Sequence, residues 1–432
     1  MIEDQTPYRI DGEVGRVQFI CHQVTRQGAV ILDTSREVFP PLHGKEWYRT
    51  IGFKELGTVY GTCSQSYRQA MEELNRIRHQ PGATPLRTLQ DFVEAEGLAA
   101  DKAITEEAKR ILREGGIEEK TLQPSEEWTA CEQRRMDAPR VEEVLRGLTD
   151  DPHLLEAMRA NPVGYEDPRV TVDVSIDDVL AKKQKAHRKV GELEVVETRS
   201  DTAPKAKSTK KEKKLVHTTV AHVQTDGERR IFASASAFIT CAVVLAFLLV
   251  NKKLRSNWVF FVDGQRTLHD LLLRVFSWQG TLQLILDWPH VVKKCKETLS
   301  LALNGRRARN EALKPLLRQL WHGTVDGVIA CLGQIDPGQI KSTDAIERLV
   351  GYFERNRRYI PCYAARAKLG LRNSSNRGEK ANDLVVSMRQ KHKGMSWSQD
   401  GSTALTALQT LVCNDAHNRW FETGSVDFCL AV

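Results

Sequence analysis

Three carboxylates stand out for the places they occupy. Asp177 closes the alternating run from Val170, Asp263 follows the apolar stretch from Asn257 to Val262, and Glu379 opens a helical pattern in a strongly basic block. Alternating or continuous runs of β-branched and aromatic residues read as strands. Both aspartates would then stand at C-terminal strand tips, where a side chain reaches solvent beside that of the neighbouring strand. Two carboxylates held close together repel unless a divalent cation lies between them, and hard oxygen donors of this kind suit Mg²⁺ or Mn²⁺. Two ions about 3.5–4 Å apart would activate an attacking oxygen and steady a leaving one in phosphodiester cleavage. Taken singly, each aspartate reads more readily as a turn or cap residue, and Glu379 as a first-turn carboxylate favoured by the helix dipole. Only the three together have the pattern of a site. Asp178 leaves the first position open by one residue, but with Val172, Val174 and Ile176 turned inward, Asp177 shares the opposite face with Asp173 and Ser175.

The elements that would position these residues follow from the pattern of the chain. Helices are expected over 64–80, over 84–97 with Gly97 as the stop, and from Thr105 to about 116. Three short helices with compact turns and exposed arginines fit either a helix-turn-helix domain or a small charged bundle. After Pro168 the pattern becomes strand, helix-free bridge, two strands joined by a hairpin-type turn at 225–227, an apolar helix over 238–250, and a strand at 257–262. A helix near 266–277 and a strand at 281–286 complete this part, and nearly everything from 291 to 370 reads helical. The tail over 380–413 also reads helical, with a break at Lys393-Gly394. Residues 199–214 carry seven basic and two acidic side chains and are expected to form a flexible, solvated bridge.

Composition narrows the class without naming it. With 63 Lys+Arg against 56 Asp+Glu, the net charge of +7 permits nucleic acid as a partner but does not demand it. The positive charge gathers locally, since residues 361–395 hold eight Lys or Arg against two acids. Nine cysteines lie at least 16 positions apart, so no zinc-ribbon or finger spacing exists. Together with the polar, acidic start Met1–Gln5, they suggest reduced thiols in a cytoplasmic protein. Residues 231–250 are uncharged and by length alone suit a membrane span, but the strongly apolar part, Phe238–Val250, has only 13 residues and better suits a buried helix.

The segments VSIDDV (174–179), FFVDG (260–264), LDWPH (286–290) and RNSSNRGEKANDLVVSMRQKHKGMSWSQDGSTAL (372–405) resemble bacterial insertion-sequence transposases of the Mutator-like DDE superfamily. The resemblance covers the C-terminal two thirds of the chain. It implies an α/β fold with an RNase H-like mixed sheet and an all-α insertion, preceded by a mainly helical DNA-binding region. The corresponding divisions are a mixed segment 1–54, a helical region 55–165 with helix-turn-helix character, core 166–290, insertion 291–370, core 371–415 and a tail 416–432. Position by position, the resemblance matches Asp177, Asp263 and Glu379 to the catalytic, metal-holding triad, and Asp287 and His290 to an accessory Asp-x-x-His signature.

On this reading Mg²⁺ or Mn²⁺, in two ions, is the cofactor. Arg372, Arg377, Lys380, Arg389 and Lys391 would hold phosphates. Trp397 would either stack on a base or pack in the core. The activity implied is strand cleavage at terminal inverted repeats and transfer into target DNA, by a homodimer or larger assembly at the nucleoid, with no membrane partner. A nuclease of the same fold and a catalytically silent, domesticated DNA-binding protein remain as alternatives.

Overall fold

A computed structural model describes residues 2–33, 47–129, 131–184, 214–225, 227–391 and 394–430, with side chains from residue 7 onward. Most of the expected basic bridge, Asp226 of the expected hairpin turn and Lys393 of the expected break lie outside the described residues. The chain is mixed α/β and divides into two compact, interleaved units: Met1–Lys102 with Val179–Thr218 and Leu384–Ser425, and Ala103–Asp178 with Thr219–Asp383 and Val426–Val432.

The first unit opens on a four-stranded sheet built from β1 (Ile2–Gly12), β2 (Gly15–Arg26), β3 (Ala29–Asp33) and β4 (Trp47–Arg49), in the order β3-β2-β1-β4. Next come α1 (Ile51–Cys63), α2 (Tyr67–Ile77) and α3 (Leu86–Glu114), of which α3 contributes residues to both units. Thr50 caps α1 by accepting the Phe53 N–H, and Ser66 caps α2 by accepting the Gln69 N–H. Phe53, Leu74, Leu89, Phe92 and Val93 pack with Leu405 and Leu408 of α15 (Gln399–Cys413) in one apolar cluster. Arg78 is fully buried against this unit and pairs with Asp11 at 3.2 Å.

The two helices expected on either side of Gly97 are one continuous helix of 29 residues. Gly97 is no stop, because its missing side chain serves packing. A Cβ there would lie 2.4 Å from the Ala404 carbonyl oxygen, so α3 and α15 approach backbone to backbone. The three-helix arrangement expected for this region changes accordingly.

The second unit contains α4 (Ala138–Arg146) and α5 (Pro152–Arg159), then β7 (Glu228–Ser234), β8 (Asn257–Val262), β9 (Leu282–Leu286) and most of β5 (Thr171–Lys182) and β6 (Leu215–Thr225), both of which contribute residues to the two units. The sheet order is β7-β6-β5-β8-β9. β5, β8 and β9 run parallel, whereas β6 and β7 are antiparallel. Every residue of β8 is buried, as expected for the centre of a parallel set covered on both faces. The apolar helix α6 (Ala237–Val250) packs on β7, with the Phe232 and Phe247 rings 5.4 Å apart. Among the described residues, no helix is long and apolar enough to cross a membrane.

α7 (Arg266–Phe276) links β8 to β9. The helices α8 (Trp288–Ala302), α9 (Gly305–Trp321), α10 (Val325–Gly333), α11 (Thr343–Asn356) and α12 (Tyr363–Lys368) follow, and then α13 (Asn376–Asn382). A π-helical turn, Asp383–Ser387, continues α13 directly into α14 (Met388–Gln390).

Substituting Gly97→Ala should destabilise the protein by about 1–3 kcal/mol through overpacking against Ala404. Urea unfolding checks this, and an unchanged midpoint would show that the two helices can separate without cost.

Candidate active site

The first correction concerns Asp177. β5 runs on to Lys182, so Asp177 and Asp178 are not at a strand tip. They do lie just beyond the last residue of β5 in register with β8, Ser175 opposite Phe261. Past that point β5 is no longer in register with β8, and at its end the Trp397 N–H donates to the Lys182 carbonyl at 2.9 Å. Asp263, by contrast, stands at the tip of β8 as expected, with Oδ1 accepting the Gln265 N–H at 2.7 Å.

Alternation sends the two adjacent aspartates in opposite directions. Asp178 accepts the Thr219 hydroxyl at 2.6 Å and the Gln265 amide at 3.2 Å. Asp177 accepts the Asp178 N–H at 2.8 Å and the Asn382 side-chain amide at 2.9 Å. Burial raises the pKa of Asp177 above the usual carboxylate range, and the nearby charge of Asp263 pushes it the same way. The two aspartates thus share one electrostatic neighbourhood.

Asp287 is fully buried at the end of β9 and is the N-cap of α8. Its Oδ1 accepts the Ser375 N–H at 2.5 Å, just ahead of α13. Its Oδ2 accepts the His290 backbone N–H at 3.1 Å and lies 2.6 Å from His290 Nδ1. The imidazole is thereby held with Nε2 4.0 Å from Glu379 Oε1. Its hydrogen bond to Asp287 is the chief reason why the His290 pKa is raised. Burial opposes that rise, while the charges of Asp287, Asp177 and Asp263 reinforce it.

Among the described residues, the set whose ligand atoms all lie within 4.8 Å of one another is Asp287, His290 and Glu379. The expected trio Asp177, Asp263 and Glu379 is not as tight as that. Glu379 lies 4.0 Å from His290, whose pKa the charges of Asp287, Asp177 and Asp263 also raise, so acidic groups from β5, the end of β8, the end of β9 and α13 are gathered about one histidine.

α13 is pressed closely onto β5. A Cβ on Gly378 would lie 2.6 Å from that of Ser175, so only glycine permits this approach. One turn on, Asn382 reaches Asp177 from the helix that carries Glu379. The sequence reading missed Asn382. Its i, i+3 spacing from Glu379 was the available signal, because those positions share a helix face.

The basic block divides into two groups. Arg372 pairs with Asp173 at 3.2 Å, and both Arg372 and Arg377 donate to the Gln224 side-chain oxygen. Burial pushes the Asp173 carboxyl up to about 6, with Arg372 pulling the other way. Lys380 and Lys391 are exposed.

Arg389, expected at DNA, is a core residue instead, and Trp397, read as either base-stacking or core-packing, is in the core. Arg389 is 4% exposed, with its guanidinium 4.8 Å from the Tyr67 ring centre and 5.0 Å from that of Trp397. Trp397 is buried and donates its indole N–H to the Gln390 carbonyl at 3.0 Å. Indole and guanidinium pack against each other inside the first unit, with Arg389 donating to the Gly61 carbonyl at 3.3 Å, so neither is presented to a ligand.

No known family model matches this chain, and no curated protein does. Among solved structures, a Drosophila P element transposase strand transfer complex is similar at 9% identity and a TM-score of 0.26, over 91% of this chain and 87% of that one. A likeness at that level carries no argument about fold or function.

His290 adds stability through its raised pKa. That contribution is complete below the unfolded value of about 6.5 and is lost as pH rises through the folded value. With chelator present, the stability advantage of wild type over His290→Ala should therefore shrink as pH increases. An advantage independent of pH in denaturant titrations would separate His290 from the acidic cluster.

Proposed function

We propose that this chain is a DNA transposase whose catalytic carboxylates are Asp177, Asp263 and Glu379, acting on phosphodiester bonds. The observation that supports it best is the gathering of acidic groups around His290 from elements far apart in sequence. The strand order β7-β6-β5-β8-β9, with β5, β8 and β9 parallel, is in keeping with an RNase H-like core. Helices α8 to α12 fall between β9 and the Glu379 helix, where the Mutator-like resemblance calls for an all-α insertion.

The donors fit hard divalent cations. They are carboxylate oxygens with one imidazole nearby, and Asp177 and Asp263 crowd like charge in a partly buried place. Asp177, Asp263 and Glu379 would hold Mg²⁺ or Mn²⁺, which when bound supplies charge to the phosphate and activates an attacking oxygen.

The protein's own groups have separable tasks. Asn382 fixes the Asp177 carboxylate by holding Oδ2, while Thr219 and Gln265 keep Asp178 turned away. Asp287 holds His290 Nδ1, leaving Nε2 beside Glu379 to keep or pass a proton. Arg372, Arg377, Lys380 and Lys391 would draw in DNA phosphates. The helices within 55–165 would recognise the terminal inverted repeats. Two element ends acting on one target call for a homodimer or larger assembly, placed at the nucleoid in the cytoplasm.

Asp177→Asn, Asp263→Asn and Glu379→Gln should each reduce strand cleavage in Mg²⁺ at least about a hundredfold, because each removes charge stabilisation from the transition state. DNA binding by gel shift should be nearly intact. Any one of these variants that keeps cutting removes that residue from the catalytic set. Asn382→Ala should slow turnover about 10–100-fold with KM for DNA unchanged, the usual cost of losing an orienting partner. A rise in KM alone would instead give Asn382 a role in binding DNA.

A further inference from the structure

The helical segment between β9 and α13 carries a group of cations that the preceding reading does not use. Lys294 on α8, Arg355 on α11 and Arg358 just after α11 are all exposed, and none has an ion pair among the described residues. Their neighbours behave differently. Arg307 pairs with Glu311 at 2.9 Å, and Arg357 with Asp326 at 2.8 Å and Glu354 at 3.0 Å. Glu311, Asp326 and Glu354 are thereby engaged, while Lys294, Arg355 and Arg358 have no ion pair among the described residues.

Two tyrosines near the Asp263 loop seat Lys294 and Arg358. The Tyr352 hydroxyl donates to the Asp263 carbonyl at 3.5 Å and lies 2.7 Å from where a Cβ on Gly264 would be. The Lys294 ammonium stands 5.7 Å from the centre of the Tyr352 ring. Arg355, one turn after Tyr352, folds back so that Nη1 would lie 3.4 Å from a Cβ on Gly351. On the other flank, Tyr359 meets the His269 ring of α7 at 5.1 Å, and the Arg358 guanidinium lies 5.1 Å from the Tyr359 ring centre. α7 begins three residues after Asp263, so both tyrosines border the loop that carries this carboxylate.

An unpaired cation spread over an aromatic face keeps its charge available to a second partner, since the ring neutralises none of it. Two charges seated in this way, with the exposed Arg355 one turn from Tyr352, would be poorly placed for a small acidic metabolite but well placed for a polyanion whose phosphates run past the carboxylates. We propose that Lys294, Arg355 and Arg358 grip the phosphate backbone of DNA on the Asp263 side of the carboxylate cluster. The inference rests on the reading of that cluster as a DNA-processing site.

The test is the salt dependence of binding to a short mixed-sequence DNA duplex. Each phosphate contact neutralised contributes about 0.9 to the slope of log K against log salt concentration. The variant Lys294→Gln/Arg355→Gln/Arg358→Gln should lose about 2.7 from that slope, and each single Gln variant about 0.9. The charge-keeping exchanges Lys294→Arg, Arg355→Lys and Arg358→Lys should retain the wild-type slope. Should the triple variant misfold, the single variants carry the same prediction. If the Gln variants match the wild-type slope while wild type and Asp177→Asn both bind DNA, this inference is wrong and the reading of the carboxylates stands. If wild type shows no salt-dependent DNA binding, both fall together.

Discussion

One buried carboxylate holds the candidate site together. Asp287 has no contact with solvent, yet it accepts from the start of α8, from the His290 ring and from the backbone ahead of α13. A carboxylate taken out of water is costly unless its lone pairs are filled. Here the filling partners are the two ends of the long helical segment inserted after β9. The segment is therefore tied off at its base, and the Glu379 helix is brought back to the sheet that it left almost ninety positions earlier. His290 is oriented by the other oxygen of the same carboxylate, so chain closure and placement of the imidazole depend on one side chain.

A second buried pair reinforces this arrangement. Arg366 is fully buried and makes two short bonds to Glu166, at 2.6 and 2.7 Å, while also donating to the Arg372 carbonyl. The bidentate geometry fixes the backbone just where the chain turns towards α13. Arg372 and Arg377 are placed by that turn, and so is Gly378 against Ser175. Charge in this unit is thus used twice: in closed, buried pairs that shape the backbone, and in open groups at the surface.

Much of this was legible in the sequence, and the exceptions have physical causes. β8 was readable residue by residue because a central parallel strand is uniformly apolar, and α6 because its apolar run is too short to be anything but buried. The tip position of Asp263 followed from β8. Asp177 was misplaced along its strand because Val179 and Ala181 continue the apolar alternation past the two acids, a pattern a local reading breaks at charge. Gly97 was read as a stop since its role is to admit Ala404, a contact more than three hundred positions away. Arg389 was assigned to DNA, and Trp397 left between a base and the core, because a charged or aromatic side chain in a basic block gives no sign of which way it faces. Their mutual stacking, with Tyr67, belongs to tertiary structure alone.

The paired aspartates of β5 have a consequence for register. A slip of one residue along this strand would bring Asp178 or Ile176 to the place of Asp177, sending the wrong side chain to the cluster. What forbids the slip is the size of side chains beneath α13. Ser175 is small enough to lie under Gly378, whereas its neighbours Val174 and Ile176 are branched and bulky. Gly378 thus acts as a gauge, admitting one alignment of the sheet and rejecting the two adjacent ones.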